Sequence, residues 1–152
     1  MQGTPACGMT VCLDTNVLLR IFGKQQPFQP ILRALLEGRL TLAVSTEILL
    51  EYEEVVTALS GVERWRDVAR LLELLETLHG NIRKTQPSFR FGLIAGDPDD
   101  NKFCDCAIAA DADFMVTEDR HFAPLASAGY RVKPIAPDEF IRLHLPLEEN
   151  KK

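Results

Sequence analysis

Long apolar runs are missing from this sequence. No stretch approaches the roughly 20 consecutive apolar residues that a helix needs to cross a bilayer, and the opening MQGTPACGMT has neither the basic start nor the apolar stretch of a signal peptide. A soluble, cytoplasmic protein with no membrane partner is the expectation. An excess of positive charge is missing too: Lys and Arg number 17 against 22 Asp and Glu, a net charge of -5. No global basic field attracts a polyanion, so nucleic-acid binding has to be local or metal-assisted. Cysteine is sparse. Cys7, Cys12, Cys104 and Cys106 are enough for two disulfides, but a chain of 152 residues has core enough not to need them, and reduced thiols are expected. Cys104 and Cys106 are spaced C-x-C in an apolar helical run, which reads as core packing rather than zinc ligation. Repeats and low-complexity linkers are absent, and a composition of 46% hydrophobic and 26% charged residues excludes disordered, collagen-like and coiled-coil chains.

What is present is an alternation of short strand-like and longer helix-like patterns. Strands are expected over residues 10–13, 40–44, 114–117 and 131–135. Helices are expected from 17 to 22, 27 to 37, 45 to 59, 62 to 79, 97 to 111, 121 to 128 and 137 to 143. Ser45 is positioned to cap one helix, Gly80-Asn81 to end another, and Asp97-Pro98 to start a third. Residues 82–96, containing Pro87 and Gly92, read as a gap. The alternation predicts an α/β fold, a three-layer α/β/α sandwich with a mostly parallel central sheet. Residues 1–9 read as an N-terminal extension, 10–145 as a single domain and 146–152 as a charged tail. Ligands of such sheets bind beyond the carboxyl ends of the strands.

Acidic residues fall where that rule places a site. Asp14 follows the first strand in VCLDTN and Asp119 follows FMVT in the same way; either alone also reads as a helix cap. Glu51 lies in STEILLEYEEVV, where Ile48, Leu49, Tyr52, Val55, Val56 and Leu59 form an apolar stripe. At about 100° per residue Glu51 projects beside Val55 on the edge of that stripe, whereas Glu47 and Glu54 point away. Asp105 is the one charge in the run from Phe103 to Ala110, which is otherwise apolar all round. A buried carboxylate there needs a partner, such as Lys102 or an arginine, or a metal. Asp97, Asp99 and Asp100 explain themselves mostly as helix capping, with Asp100 alone able to reach the site. Clustered carboxylates raise one another's pKa unless a cation neutralises them. Oxygen-only ligation with open positions suits Mg²⁺ or Mn²⁺, and the chemistry that follows is metal-assisted phosphodiester hydrolysis.

The segments LDTNVLL, EILLEYEEV and DPDDNKFCDCAIAADADFMVTEDRHF, in that order, resemble the PIN-domain nucleases, and most closely the VapC-like toxins of prokaryotic toxin–antitoxin systems. The resemblance covers about residues 10 to 143. It implies a parallel α/β/α sandwich and a ribonuclease that uses one or two divalent metals, with Asp14, Glu51, Asp105 and Asp119 as catalytic, metal-holding acids. It further implies Asn16 and Thr117 as supporting polar residues and Asp100 as an additional metal ligand candidate, leaving open whether Asp100 or Asp105 is the closer. Glu51 acts either as a ligand or as a general base. An RNA substrate, an antitoxin partner and a homodimer are also implied. Arg20, Lys24, Lys102, Arg120 and His121 lie near the motifs and are candidates for phosphate contacts, although each taken singly reads more readily as a solvated surface charge. Trp65, Val68, Leu72 and Leu75 read as core, dimer or antitoxin contacts. The rivals are a PIN-fold module that binds RNA or protein without turnover, a Mg-dependent phosphoryl-accepting receiver domain and a haloacid-type phosphatase. The receiver lacks its paired acids, and Asp14-Thr15-Asn16 is not the D-x-D of the phosphatase.

Overall fold

Strand β1 (Met9–Leu13) is buried along its last four residues, as expected of a strand covered on both faces. Around it the computed structural model builds a five-stranded sheet in the order β3-β2-β1-β4-β5, with β2 at Leu40–Ser45, β3 at Ile82–Thr85, β4 at Phe114–Val116 and β5 at Lys133–Ile135. Every pairing is parallel. The residues described are 8–23, 28–87 and 98–146, without the side chains of 98–100. Helices α1 (Thr15–Ile21) and α2 (Gln29–Leu36) connect β1 to β2, while α3 (Thr46–Ser60) and α4 (Val62–His79) connect β2 to β3. Helix α5 (Pro98–Ala109) precedes β4, a 3₁₀ helix (Arg120–Ser127) follows it, and α6 (Pro137–His144) comes after β5. The helices flank the sheet, giving the expected α/β sandwich.

The connections run outward from β1 through β2 to β3, then return on its other side with β4. That reversal puts a topological switch point between β1 and β4, where open parallel sheets place their ligands. Register aligns Leu13 with Val116, and the backbone N–H of Asp14 still donates to the Val116 carbonyl at 3.1 Å. The residues just after β1 and β4 therefore emerge side by side.

Helix α5 packs against β1, β2 and β4. Its Phe103 is fully buried and meets the rings of Tyr52 and Phe122 at 6.3 and 6.5 Å. Cys12, Cys104 and Cys106 are buried free thiols, as expected; Cys7 lies outside the described residues. At the opposite edge of the sheet Gly80 ends α4 in the left-handed region, at φ 63°. Next to it the buried Asn81 donates from Nδ2 to the carbonyls of Leu35 at 3.0 Å and Leu40 at 2.8 Å, tying the end of α2 to the start of β2. Its Oδ1 has no partner among the described residues, which offsets part of the gain. Asn81→Ala is expected to cost about 1–2 kcal/mol, read as a lower urea midpoint at unchanged m.

The structure corrects the sequence reading in three places. Residues 82–85, read as part of a gap, form the edge strand β3; Arg83 and Lys84 are exposed there, so an apolar signature is missing. The helix expected over 121–128 is 3₁₀, Arg120–Ser127, with Pro124 inside it. The last strand is shorter than 131–135, at Lys133–Ile135. The N-terminal extension up to residue 7, Lys24, Gly92, the Asp97 cap and the tail from 147 fall outside the described residues.

Candidate active site

Asp14 leaves β1 in an extended conformation, φ -61° and ψ 152°, and caps α1. Its Oδ1 accepts from the Thr15 N–H at 2.8 Å and its Oδ2 from the Thr117 hydroxyl at 2.7 Å. Thr117 follows β4, and its Oγ1 also accepts from the Asp119 N–H at 2.9 Å, so one hydroxyl links the two strand ends. Asp119 caps the 3₁₀ helix: its Oδ1 accepts from the His121 N–H at 2.9 Å and lies 3.0 Å from His121 Nδ1. Both aspartates are thus helix caps, and they are also neighbours.

Glu51 arrives from α3. Ser45, the last residue of β2, caps that helix by accepting from the Ile48 N–H at 3.2 Å, and the buried Tyr52 donates to the Leu13 carbonyl at 2.6 Å. With Tyr52 anchored on the end of β1, Glu51 faces the mouth of the site. Its Oε2 accepts from the Thr15 hydroxyl at 2.9 Å, and its Oε1 lies 2.8 Å from Lys102 Nζ on α5.

Burial of Asp14, only 7% exposed, pushes its carboxyl pKa up. The charges of Asp119 and Glu51 push the same way, against the Thr117 and Thr15 hydrogen bonds. The three acids therefore share one field. Asp105 is 4% exposed on α5, in agreement with the apolar run around it. The adjacent Cys106 thiol is held below its ordinary value, first by its interaction with the Cys12 side chain, while burial and the charge of Asp105 work to raise it.

Among the expected supporting residues, Thr117 sits at the centre of the site, whereas Asn16 is exposed on the first turn of α1. Thr15 was not singled out from sequence, yet its N–H holds Asp14 and its hydroxyl holds Glu51; the available signal was its place directly after a capping aspartate. Asp100 falls in the first turn of α5, with its side chain outside the described residues. Arg20 pairs with Glu118 at 2.8 Å and stacks over Phe28. Arg120 and His121 are exposed at the rim, and Lys102 turns to Glu51.

The donor chemistry fits a hard divalent cation: carboxylate oxygens and hydroxyls, with Asp14 bearing charge that burial disfavours. Among the described residues no three His, Cys, Asp or Glu side chains are drawn together as a ready-made metal cage.

A family model described as PIN domain matches residues 10–121. The chain belongs to the PIN-domain family, whose members are in general nucleases that use divalent metal ions. That membership sets aside the receiver and phosphatase readings. Among solved structures, a chain of VapBC2 from Rickettsia felis, in a crystal structure bound to a DNA fragment from their promoter, is similar in fold. The likeness has a TM-score of 0.56 and 18% identity, covering 84% of this chain and 99% of that one. No curated protein matches the chain. Among the described residues no helix is long and apolar enough to cross a membrane.

Proposed function

We propose that this chain is a divalent-metal-dependent endoribonuclease that hydrolyses RNA phosphodiester bonds, and that it is the toxin of a toxin–antitoxin pair. The observation that carries the reading is the coupling of Asp14, Glu51 and Asp119 at the β1/β4 switch point, where burial and like charge raise the Asp14 pKa. Asp14, Asp105 and Asp119 are the residues that would hold Mg²⁺ or Mn²⁺, with Asp100 as a further candidate. Glu51 serves as a ligand or as the base that positions the attacking water. A bound divalent ion would lower the pKa of that water and offset charge on the transition state.

Thr117 fixes the Asp14 carboxylate and the Asp119 backbone together, and Thr15 fixes Asp14 and Glu51. With both hydroxyls committed, the acids keep their spacing without rotamer rearrangement. Asn16, Arg120 and His121, exposed around the mouth, are placed to meet the RNA backbone. Products would carry 5′-phosphate and 3′-hydroxyl ends. Regulation by a cognate antitoxin, a homodimeric state and a cytoplasmic location belong to the same proposal, supported by the family and by the VapBC2 likeness.

The test is cleavage of a mixed RNA pool by the purified chain. Cleavage in Mg²⁺ or Mn²⁺ that stops in EDTA and returns with excess metal is the expected result. Activity indifferent to EDTA would overturn the metal dependence, and no turnover at all would leave a PIN module that binds RNA or protein without catalysis.

A further inference from the structure

We infer that Lys102 is a built-in counter-ion for Glu51, which limits the site to a single divalent cation on its Asp14–Asp119 side. The inference rests on the metal-dependent reading above and decides the part played by Glu51: it orients water and is not a ligand. Both oxygens of Glu51 are already engaged, Oε1 by Lys102 Nζ at 2.8 Å and Oε2 by the Thr15 hydroxyl at 2.9 Å. An ammonium at that distance takes the place a second cation would take on Oε1, and its charge repels another cation brought close to it.

Most ion pairs between exposed side chains contribute little, but this one differs from the rest. Its side chains are 22% and 21% exposed, against 48% and 49% for Arg20–Glu118 and 61% and 45% for Lys84–Glu76. Among the described ion pairs it is the one in which both partners are most shielded from water. It also joins α3 to α5 across the mouth of the site, so it is not an accident of neighbouring residues on one helix. Asp14 is engaged differently. Its two oxygens accept from an N–H and a hydroxyl, both neutral donors, which leave its negative charge uncompensated. Among the described residues Asp119 Oδ1 meets the exposed His121 ring and backbone. Of the three acids whose contacts are described, Asp14 and Asp119 therefore keep charge to be neutralised, beside the buried Asp105, while Glu51 is met by Lys102.

The experiment is Mn²⁺ binding to the full, metal-free chain, followed by calorimetry and by the electron paramagnetic resonance of free Mn²⁺. The wild type is expected to bind one Mn²⁺ per chain. Lys102→Met, close in length and without charge, is expected to bind a second Mn²⁺, or to bind the first about tenfold tighter. Lys102→Arg should behave as the wild type, and adding Glu51→Gln to Lys102→Met should remove the gain, because the gain is carried by the released carboxylate. Thermal unfolding checks that each variant is folded, and the wild-type stoichiometry is decisive without any variant. Two ions on the wild type, or no change in Lys102→Met, would overturn the role of Lys102 while leaving the metal-dependent reading intact. No Mn²⁺ bound by any of the chains at millimolar concentration would overturn both.

Discussion

Asp14→Asn is expected to lower RNA cleavage by about 10³-fold and, in metal-free buffer at neutral pH, to raise the unfolding temperature. The two effects have one cause. Asp14 is held as a carboxylate where burial and the charges of Asp119 and Glu51 disfavour it, which serves a cation and costs the empty fold stability. Asparagine keeps the shape, still accepts from Thr15 N–H and still reaches the Thr117 hydroxyl, but carries no charge. The pH dependence follows from the raised pKa. The folded chain holds the Asp14 proton more tightly than the unfolded chain, so folding favours the acid form. As pH rises from the unfolded value of about 3.9 through the raised folded value, the wild type loses stability relative to the variant; below that window both side chains are neutral and the difference closes. Thermal unfolding of both proteins in EDTA across this range, beside single-turnover RNA cleavage, checks the pair of effects. A variant that cleaves like the wild type, or that is less stable than it at pH 7, would refute the assignment.

The fold was legible where burial is two-sided. β1, β2 and β4 are short apolar runs because both faces are covered, and α4 matches its expected bounds because Gly61 and Gly80 punctuate it. β3 was not legible: as an edge strand it has half-buried Ile82 and Thr85 at its ends and exposed Arg83 and Lys84 between them, and nothing local distinguishes that from a loop. The same division runs through the site. Asp14, directly after β1, and Asp119, three residues after the end of β4, were visible because an acid at the end of an apolar strand has few structural reasons to be there beyond capping. Asp105 was visible because it interrupts an apolar helix, and it is buried as that pattern requires. Glu51 needed only the phase of its own helix. The links among these residues needed more. Thr15 to Glu51 spans 36 positions and Lys102 to Glu51 spans 51, and each depends on how α1, α3 and α5 are seated on the sheet. Lys102 accordingly read as a phosphate contact or as a partner for Asp105, and nothing in the sequence pointed to Glu51, which its Nζ reaches at 2.8 Å.

Phe103→Ala is expected to destabilise the chain by about 3–5 kcal/mol, the cost of a large cavity in a packed core and a large share of the roughly 5–15 kcal/mol that holds a domain together. Phe103 is fully buried beneath the site. Its ring lies tilted at 42° to Tyr52 and edge-on at 79° to Phe122, so it joins α3, α5 and the 3₁₀ helix at one point. Those are the elements that carry Glu51, Asp105 and the residues after Asp119. Its carbonyl also accepts from the Cys12 thiol at 3.9 Å, which sets α5 on β1 two residues before Asp14. Removing the ring unseats the three segments together, so cleavage falls along with stability. Asp14→Asn separates the two quantities, losing cleavage while gaining stability. Urea unfolding of the two variants side by side reads this directly: the midpoint drops for Phe103→Ala and rises for Asp14→Asn. A Phe103→Ala unfolding free energy within about 1 kcal/mol of the wild type would mean that α5 is held over the sheet by contacts other than this aromatic cluster.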